Sequence, residues 1–283
     1  MRTIGPPAAM KAAIHAEKAA GRTIGFVPTM GALHEGHLSL VRASKSETDV
    51  TVVSIFVNPH QFGPQEDFAR YPRDLAKDAA LLEGEGVDYI FHPAEAEIYP
   101  SGFRTSVEVP GLQDKLCGRS RPGHFRSVCT VVLKLFEIVR PDIAVFGQKD
   151  AQQAIILKRL VRDLDLDVWI DVRPIVREPD GLAMSSRNQY LAPEERRAAL
   201  VLSRSLTEAE RAIRGGEHRA PVLIERMALA VQAEPLARLE YAEIVDPDSL
   251  DPVAEAGPGA LVALAVRIGR TRLIDNFIVP KQG

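Results

Sequence analysis

Two histidines three positions apart, His34 and His37, stand in the stretch VPTMGALHEGHLSLV. With an ordinary pKa of about 6.5, an imidazole can donate hydrogen bonds to phosphate oxygens and also carry a proton near neutral pH. A pair of them suits the stabilisation of charge on an α-phosphate and a leaving pyrophosphate. Gly31 and Gly36 in the same stretch permit tight turns and a close approach of backbone to ligand. Zinc fits less well, because the spacing is H-x-x-H rather than H-E-x-x-H and no third ligand declares itself. The plain competing reading is two surface histidines in a loop.

Three further polar clusters invite the same question. GQKD contains Lys149 and Asp150, with Gln153 one turn further on. A lysine beside phosphates supplies a mobile point charge, whereas Asp150 could simply cap a helix. Met184-Ser185-Ser186-Arg187 places two hydroxyls and a guanidinium on one loop, and arginine clamps phosphate bidentately. NPHQF carries the uncharged amides of Asn58 and Gln61, suited to the hydroxyls and carboxylate of a small polar substrate. Turn chemistry around Pro59 is the alternative for Asn58. Tyr71, Arg121 and His124 are additional candidates. Cys117, His124 and Cys129 are too irregularly spaced to suggest a metal cluster.

The totals narrow the class. A chain of 283 residues has room for a large core and about two domains. With 46% hydrophobic and 26% charged residues it has an ordinary globular composition. A net charge of −3 without blocks of like charge argues against a protein dominated by nucleic-acid backbone contacts. Two cysteines outside any CxxC fit a reducing cytoplasm. The N-terminus shows no apolar h-region, so no signal peptide is expected. The longest apolar runs are far short of the roughly 20 residues that span a bilayer.

The elements that must position these residues alternate. TIGFV and VTVVSIFV (50–57) are apolar runs of the kind buried in a parallel sheet. Residues 73–85 are expected to be helical, 87–91 a strand, 128–139 a helix, 142–146 a strand, 151–164 a helix and 168–176 a strand. Val128, Val131, Val132, Leu135 and Val139 share one face of their helix. This order predicts βαβ units and a parallel sheet. Beyond Arg177 the chain is turn-rich, then helical over 194–214 and 220–233. Three strands follow in LEYAEIV, GALVALAVRIG and TRLIDNFIV, joined at IGRTR by a hairpin. The domain boundary is expected near Val176, giving domains 1–176 and 177–283. The polar clusters after GFV, SIFV, IAVF and PIV each begin as an apolar strand ends, the place where open parallel sheets bind ligands.

Taken in order, PTMGALHEGHLSLV, SIFVNPHQFGPQEDFARYPRDLAKD, RPGHFRSV, VFGQKDAQQ and MSSRNQYL closely resemble the pantothenate synthetase (pantoate–β-alanine ligase) family. The resemblance covers most of the first domain and the linker, and more loosely the C-terminal part. His34-Glu35-Gly36-His37 matches the H-x-G-H signature of its nucleotidyltransferase superfamily, and Met184 to Arg187 its KMSKS-like loop. The resemblance implies an α/β protein with a Rossmann-like parallel-sheet N-terminal domain and a smaller α+β C-terminal lid domain. It implies attack of a pantoate carboxylate on the α-phosphate of ATP, with Mg²⁺ accompanying the nucleotide. The amine of β-alanine then attacks the pantoyl adenylate, releasing pantothenate and AMP.

Carried over by residue, the resemblance assigns ATP to Met30, Gly31, Ala32, Leu33, His34, Glu35, Gly36 and His37. It assigns ATP also to Gly147, Gln148, Lys149, Asp150, Val176, Met184, Ser185, Ser186 and Arg187. His37 becomes the proton donor, with His34 and Lys149 also catalytic. Gln61 and Gln153 would hold pantoate, Gln61 also β-alanine, with Asn58, Tyr71 and Arg121 in support. Ser127 stands where the family usually has glycine, which could stiffen or shift that segment. The resemblance also implies a cytoplasmic homodimer with no nucleic-acid or membrane partner. One rival is a nucleotidyltransferase of the same superfamily acting on a phosphorylated acceptor. Another is a tRNA-charging enzyme, which would want a basic surface or an RNA-binding domain. A third is a non-catalytic nucleotide-binding module.

Overall fold

Apolar strands and amphipathic helices alternate through the first part of the chain, as their residue patterns predict. The structure, a computed structural model, describes residues 1–64 and 66–281; Gln65, inside the second motif, lies outside the described residues. In chain order the elements begin with β1 (Arg2–Ile4), α1 (Pro7–Ala19), β2 (Ile24–Thr29), α2 (Glu35–Glu47), β3 (Val50–Ile55), α3 (Leu75–Gly84) and β4 (Tyr89–Phe91). Next come α4 (Glu95–Ile98), α5 (Leu116–Ser120), α6 (His124–Val139), β5 (Ile143–Gly147), α7 (Ala151–Asp163) and β6 (Trp169–Arg173). The last are α8 (Pro193–Ala198), α9 (Leu200–Arg214), α10 (Ala220–Gln232), β7 (Ala237–Val245), β8 (Leu261–Ile268) and β9 (Thr271–Ile278). The chain divides into two compact units, one of Met1–Asp114, Gly118–Gly147 and Ile156–Pro174, the other of Lys115–Cys117, Gln148–Ile155 and Ile175–Gly283. Two short segments that precede the expected boundary therefore belong to the second unit.

The first unit is a six-stranded parallel sheet in the order β1-β4-β3-β2-β5-β6. All six residues of β3 are buried, as a strand covered on both faces requires. Alternation along the strands feeds two cores. Phe26 and Val52 pack with Phe91, Phe136 and Leu157 on one face. Val27 and Val53 pack with Leu38, Val41, Leu82 and Ile90 on the other. The chain runs outward from β2 to β3 and β4, then returns to place β5 on the other side of β2. That reversal is a switch point, where the strand ends leave a crevice for ligands. Residues 30–34 lie directly beyond the carboxyl end of β2.

The expected helical face of α6 is buried throughout, but the helix begins at His124, behind Gly123. β1 and α1 have no counterpart in the elements expected from the sequence. β1 has only three residues, and α1 declares itself through Pro7 at its first turn and buried Met10, Ile14 and Glu17. β6 stops at Arg173 rather than Val176, because Pro174 has no N–H to continue the ladder. The fourth polar cluster therefore does not begin at a strand end. β6 is a terminal strand, and its Trp169 is 69% exposed.

The second unit holds an antiparallel sheet, β7-β8-β9, with β8 in the middle. The predicted hairpin joins Ile268 to Thr271, with Gly269 in the left-handed region. Leu202, Leu206 and Ile213 of α9 and Leu223, Met227 and Val231 of α10 pack with the sheet residues Ile244, Val262, Leu264 and Val266. The expected single helix over 194–214 is two helices, α8 and α9, meeting at Ala199. Among the described residues no helix is long and apolar enough to cross a membrane.

Candidate active site

The turn after β2 is built around a carboxylate. Gly31 and Ala32 adopt the left-handed conformation, with φ of 79° and 52°. The turn they form brings the N–H groups of Ala32 and Leu33 to Asp78 of α3. Its Oδ2 accepts from Ala32 N at 2.9 Å and its Oδ1 from Leu33 N at 2.8 Å. Thr29 Oγ1 accepts from Gly31 N at 3.1 Å and donates to Ser54 O at 2.7 Å. A Cβ on Gly31 would lie 2.8 Å from Asp78 Oδ2 and 3.1 Å from Ile55, so glycine is demanded by space as well as by φ. Asp78 is 2% exposed. The amides of Ala32 and Leu33 are thus held by Asp78 within the protein. The Leu33 side chain packs into the core beside Val27 and Leu38.

The two histidines cap α2 together. His34 is the N-cap, and its Nδ1 accepts from Gly36 N at 3.2 Å. His37 Nδ1 accepts from His34 N at 3.4 Å, completing a capping box in which imidazoles play both parts. Both Nδ1 atoms act as acceptors, so the proton of each neutral ring resides on Nε2. The rings lie 4.1 Å apart, centroid to centroid. The helix end is therefore organised to present two Nε2–H donors at the positive pole of its dipole.

The NPHQF loop lies in the same unit. Asn58 is 1% exposed and acts as a hub. Its Nδ2 donates to Gln61 Oε1 at 3.1 Å and to Ser127 O at 3.4 Å, and its Oδ1 accepts from Tyr99 Oη at 2.9 Å. Burial pushes the Tyr99 hydroxyl up to about 12, so it remains a donor. With its carbonyl held by Asn58, Gln61 turns its amide nitrogen to Met30 Sδ at 2.8 Å. Gln61 and the turn after β2 are thereby brought together, and Asn58 serves by orienting Gln61. Tyr71 is buried with its ring against Phe62.

Arg121 is engaged within the protein. It pairs bidentately with Glu66, Nε to Oε1 at 2.7 Å and Nη2 to Oε2 at 2.6 Å. Nη2 also donates to Gln61 O at 3.2 Å, and Nη1 donates to His124 Nε2 at 2.9 Å. Arginine can only donate, so His124 carries its proton on Nδ1 and donates to Gln61 O at 2.9 Å. Burial pushes the Glu66 carboxyl up, but the Arg121 guanidinium outweighs it and holds that group below the usual carboxylate range. The cluster latches Gln61 and Glu66 to the start of α6. Ser127 sits inside α6 with its hydroxyl on Gly123 O at 3.1 Å, so serine is accommodated there by ordinary helical back-bonding.

The remaining candidates fall in the second unit, except Gly147 at the end of β5. Gln148–Asp150 form a 3-10 turn leading into α7, with Lys149 half-buried and Asp150 exposed. Gln153 is half-buried in the first turn of α7. Val176 accepts from Met184 N at 3.0 Å, and Arg177 bridges Ala183, so residues 176–184 form a hairpin. Ser185 caps the 3-10 turn Ser186–Tyr190 by accepting from Arg187 N at 3.3 Å. Asn188 donates to Glu178 and Ala183 O, fixing this segment to the hairpin.

Asp78 and Glu66 are the first-unit residues that sequence reasoning passes over. Both lie in the stretch FGPQEDFARYPRDLAKD, where no local pattern singles them out. Among the described residues no group of three or more His, Cys, Asp or Glu side chains could hold a metal ion. Burial pushes the Cys129 thiol up to about 12, which leaves it a packing residue rather than a nucleophile.

Comparison with known proteins converges on one family. The family model described as Pantoate-beta-alanine ligase matches residues 2–278. A pantothenate synthetase from Pelotomaculum thermopropionicum is 57% identical over 270 residues, covering 95% of this chain and 96% of that protein. One from Acetivibrio thermocellus is 56% identical over 279 residues, covering 99% of each. The crystal structure of pantothenate synthetase from Thermus thermophilus matches with a TM-score of 0.94 at 45% identity, over 99% of this chain and 100% of that one. A pantoate-beta-alanine ligase from Francisella tularensis, complexed with beta-gamma ATP and beta-alanine, matches with a TM-score of 0.79 at 35% identity, over 98% of this chain and 97% of that one. With its sheet order, its capped histidine pair and matches along nearly its whole length, this chain belongs to the pantoate–β-alanine ligase family.

Proposed function

We propose that this chain condenses pantoate with β-alanine to give pantothenate, driven by ATP through a pantoyl adenylate. A pantoate carboxylate oxygen attacks the α-phosphorus and the bond to pyrophosphate breaks. The β-alanine amine then attacks the acyl carbon, AMP departs with the activating oxygen, and the ammonium proton is lost to solvent. A carboxylate is already nucleophilic, so positioning and charge stabilisation are the protein's main contributions. The observation that carries this reading is the reciprocal His34–His37 cap, which fixes two Nε2–H donors beside the turn that Gln61 reaches.

In this reading His34 and His37 donate to the phosphates, and His37 supplies the proton to the leaving group. Lys149, Ser185, Ser186 and Arg187 hold the nucleotide with Gly147, Gln148, Asp150, Val176 and Met184. Gln61 and Gln153 hold pantoate, with Asn58 and Arg121 setting the Gln61 segment. Residues 1–176 carry the nucleotide and pantoate sites, and residues 177–283 serve as the lid. Mg²⁺ would accompany ATP in this reading, bound through the phosphate oxygens of the nucleotide. It would offset the negative charge that builds up on the departing pyrophosphate. The chain works as a cytoplasmic homodimer.

The test is ATP–pyrophosphate exchange by the full chain with Mg²⁺ and pantoate, leaving β-alanine out. Pantoate-dependent exchange, followed by AMP and pantothenate release on adding β-alanine, is the expected result. No exchange with pantoate, but turnover with a phosphorylated acceptor and CTP or ATP, would replace this reading with that of a simple nucleotidyltransferase.

A further inference from the structure

Two of the segments assigned to the nucleotide, Gln148–Asp150 and Met184–Arg187, are tied to adjacent residues of β9. Asn276 Nδ2 donates to Gln148 O and to Lys149 O, each at 3.0 Å, and its Oδ1 accepts from Gln148 Nε2 at 3.3 Å. Asp275 accepts a bidentate pair from Arg177, Nη1 to Oδ2 at 2.7 Å and Nη2 to Oδ1 at 3.0 Å. Asp275 is 1% exposed and Asn276 3% exposed. Arg177 belongs to the hairpin that delivers Met184, through its bridge to Ala183 and its Nη1 bond to Gly181 O at 3.1 Å.

Successive residues of a strand point to opposite faces. One dipeptide can therefore grip two segments that approach β9 from its two sides. Pairing with β8 sets which residue faces which way, since Asp275 lies opposite Leu264 and Asn276 opposite Ala263. A slip of one residue would exchange them. The chemistry at each position is also restrictive. Asn276 must donate to two carbonyls and accept from an amide, which neither aspartate nor leucine can do. Asp275 is a buried carboxylate that needs the planar fork of an arginine.

We propose that Asp275 and Asn276 are positioning residues for nucleotide binding, a clip on β9 that sets the carbonyl backbone beneath Lys149 and the hairpin that presents Met184 to Arg187. Neither side chain touches the nucleotide; each acts through the segment it holds. This proposal rests on the assignment of those segments to ATP.

The test measures ATP affinity directly, by calorimetric titration of the full-length chain with a non-hydrolysable ATP analogue, beside pantoate-dependent exchange kinetics. Asn276→Ala is expected to weaken analogue binding at least 10-fold and to raise KM for ATP by a similar factor. KM for pantoate should stay within about threefold. A merely structural role would lower the amount of active protein, and so kcat, without moving KM for one substrate alone. Should Asn276→Ala fail to fold, the double variant Arg177→Gln, Asp275→Asn removes the ion pair of the second arm, and the same loss of affinity is expected. Folded variants that bind the analogue within twofold of the unaltered chain would overturn the clip. If the unaltered chain binds the analogue but shows no pantoate-dependent exchange, the reaction assigned above fails while the affinity comparison still decides the clip. If the unaltered chain binds no analogue, both fall.

Discussion

The ring of His37 lies 4.1 Å from the ring of His34, and its Nδ1 accepts the His34 backbone N–H at 3.4 Å. Each of the two rings thus does structural work at Nδ1, which closes the helix cap. In the function proposed above, the hydrogen on Nε2 is the one a phosphate meets. Placing a proton on Nδ1 removes an acceptor from the cap, so tautomer and helix end are coupled.

Replacement of His37 by alanine should therefore show in two assays. Exchange turnover is expected to fall at least 10²-fold, the usual scale for an acid–base or charge-stabilising group. Unfolding free energy should drop by about 1 kcal/mol through loss of the cap. A melt and an exchange rate on the same preparation check both, and near-normal turnover would remove the proton-donor role.

Asp78→Asn should act on the turn at a distance. An amide can accept from only one of the Ala32 and Leu33 N–H groups and must point its own N–H₂ at the other. We expect a loss of about 1–3 kcal/mol in stability and at least a 10-fold fall in kcat/KM for ATP, since a small misplacement of catalytic groups costs up to about 10²-fold. Gly31→Ala should reproduce the phenotype, because its Cβ would press on the same carboxylate. Unchanged kinetics in both folded variants would contradict the anchoring role.

Lys149→Ala should cut exchange turnover at least 10²-fold. Lys149→Arg should recover only part of it, since a planar guanidinium does not replace a compact ammonium. Steady-state rates at saturating ATP test this, and full recovery by arginine would show that charge alone suffices.

The Glu66–Arg121 latch has a defined pH window. Burial raises the Glu66 carboxyl, but Arg121 lowers it further, leaving it below its ordinary value of 4.5. A carboxyl depressed on folding contributes its full stability above the unfolded value and loses it as pH falls through the folded one. The difference in melting temperature between the unaltered chain and Glu66→Gln should be constant from about pH 7 to about pH 5 and then narrow below about pH 4.5. A difference that widens on acidification would reverse the sign of this coupling.

The sheet was legible because its central strands are continuous apolar runs, VTVVSIFV above all, whose burial on both faces leaves little choice of environment. β1 escaped because Arg2-Thr3-Ile4 is too short to show a period, and its pairing with β4 is a distant contact. The histidine pair could be read from spacing. What could not be read is which groups already have partners. Arg121 in RPGHFRSV is a candidate for supporting the substrate, and its sequence context gives no sign that Glu66 pairs with it from 55 positions away. Asp78 and Asn276 have no local pattern at all, and their meaning appears only when the fold brings backbone amides or carbonyls to them.

The carboxylate that shapes the turn after β2 lies 46 residues downstream of the amide of Ala32. During synthesis, β2 and the histidine-capped helix leave the ribosome before their anchor does. The turn can take its final form only after β3 has paired and α3 has docked, so it matures late in its own half of the molecule. A loop closed by a distant contact waits for the chain around it, and a growing chain arrested before residue 78 would carry both histidines but not the backbone turn that places them.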